Sequence, residues 1–199
     1  FAEIYRRNKW GSEQSVSGSG SELLQTRKLI ETFPELFARL DVTSLLDVPS
    51  GDFNWMSRVN LAGIDYLGGD IVAKHQVHHQ RPGVRFALVN LLADSLPRCD
   101  LVLCRDCLVH FSYADIRRAL GNICRSGAEY LLTTTFPDCR QNRDILTGQW
   151  RPLNLQAAPF KLPAPRELIN EGCTERGGRY ADKSLALWRT ADIAGCLAE

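Results

Sequence analysis

Leu45-Leu-Asp-Val-Pro-Ser-Gly-Asp-Phe-Asn-Trp55, followed by Ile64-Asp-Tyr-Leu-Gly-Gly-Asp70, decides the fold. Ser44 to Val48 is a short apolar run of the kind that forms a buried strand, and it opens into a loop carrying Asp47, Pro49 and Gly51. Phe53 to Val59 reads as a short helix, and Ile64 to Leu67 as a second strand ending in Gly68-Gly69-Asp70. Strand, helix and strand in this order begin a parallel sheet with crossover connections. Gly51 has no side chain to clash, so the first loop can pass close to a ligand. Asp70 ends the second strand, where ligands bind in open parallel sheets. A carboxylate there is placed to accept both hydroxyls of a ribose in short, strong hydrogen bonds.

The alternation continues toward the C-terminus. Ile71 to Gln80 reads as a helix, Val84 to Val89 and Asp100 to Cys104 as strands. Tyr113 to Ile123 is a helix with Ser112 as its cap, and Glu129 to Thr135 is a further strand. Residues 136–165 are polar and Pro-rich, with no periodic element. Leu168 to Glu175 and Lys183 to Trp188 read as two strands, and Gly177-Gly178 between them favours a hairpin. The fold class is therefore α/β, a mostly parallel sheet closed by an antiparallel C-terminal pair. Toward the N-terminus, Leu24, Leu29, Ile30, Phe33, Leu36, Phe37 and Leu40 recur at roughly helical spacing, and Pro34 is expected to open a second short helix. Ser19 and Glu22 have capping-box spacing. Residues 1–40 are read as an N-terminal helical cap and 41–199 as one domain.

Composition bounds the function. With 24 Lys+Arg and 23 Asp+Glu the net charge is +1, without the basic excess of a protein that coats phosphate backbones. No apolar run approaches the ~18 residues of a membrane span. Seven cysteines at irregular spacing do not form a disulfide framework, and a cytoplasmic location fits them best. Cys104 and Cys107 have CxxC spacing, but no second CxxC supplies the other two zinc ligands; small core residues are the simpler reading. His75, His78 and His79 form an HxxHH cluster, more commonly a solvated helix face than a metal site. No metal is assigned.

Three ordered signals resemble the class I S-adenosylmethionine-dependent methyltransferases. They are the Asp-x-x-x-Gly loop from Asp47 to Gly51, Asp70 after the next strand, and Leu96-Pro97-Arg-Cys-Asp100-Leu-Val-Leu-Cys-Arg-Asp-Cys-Leu108-Val109-His110. The resemblance covers roughly Leu45 to Trp188. It implies a Rossmann-like, seven-stranded sheet with helices on both faces, with S-adenosylmethionine as cofactor and S-adenosylhomocysteine as product. By the same resemblance, Asp47 and Gly51 hold the methionine end, Asp70 the ribose, Ile71 an adenine face, and Asn90 with the Leu91 N–H the adenine edge. Cys104 and Arg105 line the side nearest the methyl group. Trp10, Ser17 and Gly18 belong to a segment that closes over the cofactor, although a disordered tail is the competing reading of that Ser/Gly stretch. Of the family's glycine-rich loop only one glycine is kept; Pro49 and Phe53 replace the other two.

Methyl transfer needs an acceptor positioned in line, and an oxygen acceptor needs a base. His110 is the first candidate, against a structural role bonding backbone; Asp106 is the second, against capping or pairing with Arg105. Residues 136–165 are expected to choose the substrate. There Phe136, Trp150, Arg151 and Asn154 offer an aromatic platform with polar handles for a sugar or planar ring, while Trp150 serves equally as a loop anchor. The expected acceptor is a small or sugar-containing molecule, modified at oxygen, with no nucleic-acid or membrane partner. A non-catalytic, methyltransferase-like binding protein is the main rival. A nicotinamide-dependent oxidoreductase would need G-x-G-x-x-G, and residues 47–55 contain only Gly51.

Overall fold

The computed structural model describes residue 3 and residues 11–72 and 82–197. Seven strands form one sheet: β1 (Ser44–Asp47), β2 (Asp65–Asp70), β3 (Val84–Leu88), β4 (Leu101–Cys104), β5 (Tyr130–Thr135), β6 (Glu167–Asn170) and β7 (Ser184–Arg189). Their order is β3-β2-β1-β4-β5-β7-β6. β7 runs antiparallel to both β5 and β6, while β3, β2, β1, β4 and β5 pair in parallel. β4 and β5 are buried along their whole length; β4 is apolar throughout, and β5 follows Tyr130-Leu-Leu132 with three buried threonines.

Alternation along the strands sorts side chains into two layers. Leu46, Val102, Leu131 and Trp188 pack on one face against Ile116, Ala119, Leu120 and Ile123 of α2 (Tyr113–Arg125) and Ile193 of α3 (Thr190–Leu197). Leu45, Leu103, Leu132 and Leu187 pack on the other face, under Leu29, Phe33, Leu36 and Phe37 of α1 (Leu23–Arg39). Ser112 caps α2 by accepting from the Asp115 N–H at 3.2 Å. Gly68 and Gly69 are required by close packing: a Cβ at Gly68 would lie 2.5 Å from the Phe86 ring, and one at Gly69 3.0 Å from Val89.

Several local expectations are corrected. α1 is one helix with Pro34 inside it, not two. Burial of Phe33, Leu36 and Phe37 on both sides of the proline holds the turn despite the missing N–H. The capping box does not form, because Ser19 donates to Glu175 and Glu22 accepts from Ser12; the Leu23 N–H is capped by Gln14 Oε1 at 2.5 Å. The helix expected at Phe53 to Val59 is only a 3-10 turn at Met56–Arg58. β6 stops at Asn170, and the link to β7 is a long connection whose turn at Glu175–Gly178 places Arg176, Gly177 and Gly178 at positive φ. Residues 73–81, with the helix expected there and all of His75, His78 and His79, lie outside the described residues.

Residues 136–166 hold no helix or strand. Side chains order them instead. Arg151, fully buried, donates to the carbonyls of Leu108 and Phe111 at 2.9 and 2.8 Å, and Asn154 donates to those of Pro137 and Cys139. All seven cysteines are free thiols. Among the described residues no helix is long and apolar enough to cross a membrane.

Candidate functional site

A cavity of about 650 Å³ opens along the carboxyl ends of the parallel strands and the start of β7. From the end of β2 to the end of β5 is three strand spacings, ~14 Å.

At the β2 end, Asp70 is buried, and its carboxylate is oriented by the Gly51 N–H at 3.1 Å and the Val72 N–H at 2.8 Å. Beside it Ile71, Val72, Val89 and Leu91 form an apolar wall, with Ile71 half exposed. Asp47 lies deeper and accepts from the Tyr66 hydroxyl at 2.7 Å. Burial raises the Asp47 carboxyl to about 7, with the Tyr66 hydrogen bond opposing and the charge of Asp70 adding. Ser50 Oγ, in the same wall, is buried without a hydrogen-bond partner among the described residues. Phe53, at the position of a family glycine, takes a glycine-like φ of 58° and buries its ring against Tyr66 and Phe86 at 5.1 and 5.2 Å.

The loop after β4 carries the middle of the cavity. Arg105 is buried and holds Glu171 through Nη2 at 2.6 Å, the Gly20 carbonyl at 2.8 Å and Asp106 at 3.3 Å. Lys183 Nζ donates to Asp106 at 2.6 Å and lies 3.6 Å from Glu171. Burial alone would push the Asp106 carboxyl up; Lys183 and Arg105 outweigh it and hold it at about 2. His110 Nδ1 bonds the Gln149 carbonyl at 2.9 Å, which fixes the tautomer with the proton on Nδ1 and the lone pair on Nε2. Burial lowers its pKa, so the ring is neutral near pH 7.

At the β5–β7 end three rings meet. Trp150 and Tyr180 have centroids 4.9 Å apart, with Phe136 6.0 Å from Trp150 and 5.9 Å from Tyr180.

Residues 11–22 are tied down along the cavity. Asp52 accepts from Ser15 Oγ and the Val16 N–H, and Ser17 Oγ accepts from the Asp52 N–H at 3.1 Å. Ser19 reaches Glu175 at 2.6 Å, and Asn54 reaches the Ser21 carbonyl. A Cβ on Gly51, whose φ is 56°, would lie 2.3 Å from Ser17 Oγ, so this glycine admits the N-terminal segment.

Of the residues singled out in the sequence, Ser17, Gly18, Asp47, Pro49, Gly51, Asp70, Ile71, Asn90, Leu91, Arg105, Asp106, His110, Phe136 and Trp150 line this one cavity. Cys104, Arg151 and Asn154 do not: Cys104 is fully buried in β4, and the other two brace the loop. Trp10 lies outside the described residues. Sequence reasoning missed Ser50, Asp52, Glu171, Arg176, Tyr180 and Lys183. Ser50 and Asp52 flank Gly51 in the loop after β1, which the sequence already marks; Glu171, Arg176, Tyr180 and Lys183 lie beyond the long loop, and only the tertiary fold brings them to the site. Among the described residues no group of three or more His, Cys, Asp or Glu is placed to hold a metal ion.

No family model matches the chain, and no curated protein matches it. Solved structures do. Human N-acetylserotonin methyltransferase in complex with S-adenosylmethionine aligns at a TM-score of 0.57 and 11% identity, over 94% of this chain and 65% of its own, so the chain spans less than two thirds of that protein. The 1,6-didemethyltoxoflavin-N1-methyltransferase of Burkholderia thailandensis, with its substrate and S-adenosylhomocysteine, aligns at 0.61 and 13% identity, over 94% of this chain and 84% of its own. Magnesium protoporphyrin IX methyltransferase of Synechocystis PCC 6803, with S-adenosylmethionine, gives 0.59 and 13%, over 94% and 89%. The strand order, the reversed seventh strand and these alignments together show that the chain has the Rossmann-like fold of S-adenosylmethionine-dependent methyltransferases.

Proposed function

We propose that this protein is an S-adenosylmethionine-dependent methyltransferase acting at an oxygen of a small organic acceptor. The observation that carries the reading is Asp70, its carboxylate fixed by two backbone N–H groups beside the apolar wall headed by the exposed Ile71. That pairing suits a nucleoside: the ribose hydroxyls donate to Asp70, and the base covers Ile71 and Leu91. Asp47 and the Ser50 hydroxyl, unpartnered among the described residues, suit the amino-acid end. The cavity is within the range of sites that enclose a ligand of this size. When bound, the cofactor supplies a methyl group on a sulfonium, already activated for transfer.

The chain's own work is then positioning and proton removal. Ser17 and Gly18 cover the nucleoside end and exclude water. The neutral His110, held through Nδ1, presents Nε2 to take a proton from an acceptor hydroxyl. Asp106 is paired with Lys183 and Arg105 and ionised far below neutral pH, so it serves as a structural charge rather than a base.

Titration calorimetry with S-adenosylhomocysteine tests the class: binding in the micromolar range is expected, and no heat at millimolar ligand would remove the assignment. Asp70→Ala is expected to weaken that binding at least tenfold, about 1.4 kcal/mol. Unchanged affinity would mean the ribose lies elsewhere. Turnover of a methyl-labelled cofactor separates an enzyme from a methyltransferase-like binding protein.

A further inference from the structure

The far end of the cavity carries a chemistry that the cofactor does not use. Trp150, Tyr180 and Phe136 come from three separate segments, yet their rings are in mutual edge-to-face contact and all three line the cavity. Trp150 and Tyr180 are only partly buried and both line the cavity; the Arg179 guanidinium lies over one face of Tyr180, 5.9 Å from its centroid. Contacts this close make a continuous wall. A cage for a point cation would hold its rings apart around an open centre; a wall suits the face or edge of another ring. Arg176, four residues before Tyr180 in the chain, also lines the cavity. It is exposed, its side chain makes no hydrogen bond or ion pair with the described residues, and its backbone is in the left-handed region at φ 51°. The other two cations at the site, Arg105 and Lys183, are already paired with Glu171 and Asp106. Among the described residues that line the cavity, Arg176 is thus the cation with capacity left for an acidic group. His110 lies on the same cavity, on the loop after β4 between this wall and Asp70.

We infer that the acceptor is a planar hydroxyaryl acid. Its ring lies against Trp150 and Tyr180, its carboxylate pairs with Arg176, and its hydroxyl faces His110. This rests on the methyltransferase reading and names the substrate class of that site. In the transfer, the acceptor oxygen forms a bond to the methyl carbon as the sulfur–methyl bond breaks; the sulfur keeps the electron pair and leaves as the thioether. The hydroxyl proton passes to His110 Nε2.

The test separates the two readings. S-adenosylhomocysteine binding is measured first, and its failure removes the methyltransferase assignment itself. With that ligand saturating, a panel of one-, two- and three-ring hydroxyaryl carboxylates is titrated beside the matching decarboxylated phenols and beside methyl glucoside. At least one hydroxyaryl carboxylate is expected to bind, at least tenfold more tightly than its decarboxylated partner. Arg176→Ala should abolish that preference, and Trp150→Ala should weaken the same ligand at least tenfold, each leaving S-adenosylhomocysteine affinity within about twofold. Trp150→Phe, which keeps a ring, should restore most of the affinity and guards against a folding defect. Binding of methyl glucoside instead, no binding by any member of the panel, or a preference untouched by Arg176→Ala would each overturn the inference.

Discussion

Asp47 is a group whose environment opposes its charge. Its carboxyl stands at about 7 because burial outweighs the Tyr66 hydrogen bond. Below the ordinary value of 3.8 both folded and unfolded chains are protonated, and Asp47 costs nothing. Between 3.8 and about 7 the unfolded chain ionises while the folded one keeps its proton, so stability falls as pH rises; above 7 the cost is constant. Asp47→Asn keeps an oxygen for Tyr66 and removes the ionisation. The variant should be more stable than the parent by an amount that grows from pH 4 to pH 7 and then levels, up to about 4 kcal/mol. Urea unfolding at a series of pH values measures this, and a gain independent of pH would show that Asp47 is not the group. The same variant should bind S-adenosylhomocysteine less tightly, as expected where a site trades stability for function. His110 makes a second residue-scale case. His110→Gln should retain cofactor affinity and lose at least tenfold in kcat if the imidazole removes a proton; wild-type turnover would assign His110 a structural role, its bond to Gln149 included.

The elements differ in how legible they were. Strands β1, β4 and β5 can be read within a residue or two, because burial on both faces gives each consecutive apolar residues, Leu45-Leu46, Leu101 to Cys104 and Tyr130 to Leu132, and the β-branched threonines extend β5. α1 is one helix and not the two that Pro34 suggests, because tertiary burial outweighs the local preference of proline. Pro34→Ala is therefore expected to stabilise the protein by about 1–3 kcal/mol, the helix-interior cost of proline less the entropy it removes from the unfolded chain. Thermal denaturation would show a rise of several degrees; an unchanged midpoint would mean the turn has already absorbed the cost. The Ser/Gly stretch before α1 was ambiguous in sequence because its order depends on a partner outside it. Asp52 gathers Ser15, Val16 and Ser17. Asp52→Ala should make residues 11–22 cleavable by a protease under conditions where the parent resists, with the sheet intact by circular dichroism. Equal resistance would place the anchoring instead on Arg105, Asn54 and Glu175.

At the scale of the molecule, the sheet and the ends of its parallel strands follow from pattern, but the charge cluster does not. Arg105 was legible as a residue after β4; nothing in the sequence tells that Glu171 and Lys183, beyond the long loop, meet it in the interior. That meeting joins three distant parts of the chain: the carbonyl of Gly20 before α1, the loop after β4, and the connection between β6 and β7. The cluster balances two cations against Asp106 and Glu171 with little water to screen them, so removing one member leaves a buried charge uncompensated. Glu171→Gln keeps the shape and removes one negative charge. It is expected to cost about 3–5 kcal/mol, with the loss insensitive to salt. The comparison is Glu167→Gln, whose partner Arg39 is half exposed; breaking that pair should cost under about 1 kcal/mol, and added salt should erase the difference. The acid limb gives an independent reading. Asp106, held at about 2, contributes stability that is complete above its ordinary value of 3.8 and is lost as pH falls from there through 2. Lys183→Met, which removes the ammonium that lowers it most, should move that loss to higher pH. Urea unfolding of these variants at two ionic strengths and down to pH 2 tests the whole scheme. If Glu171→Gln costs no more than Glu167→Gln, the interior cluster is not what ties the N-terminal segment to the last strands.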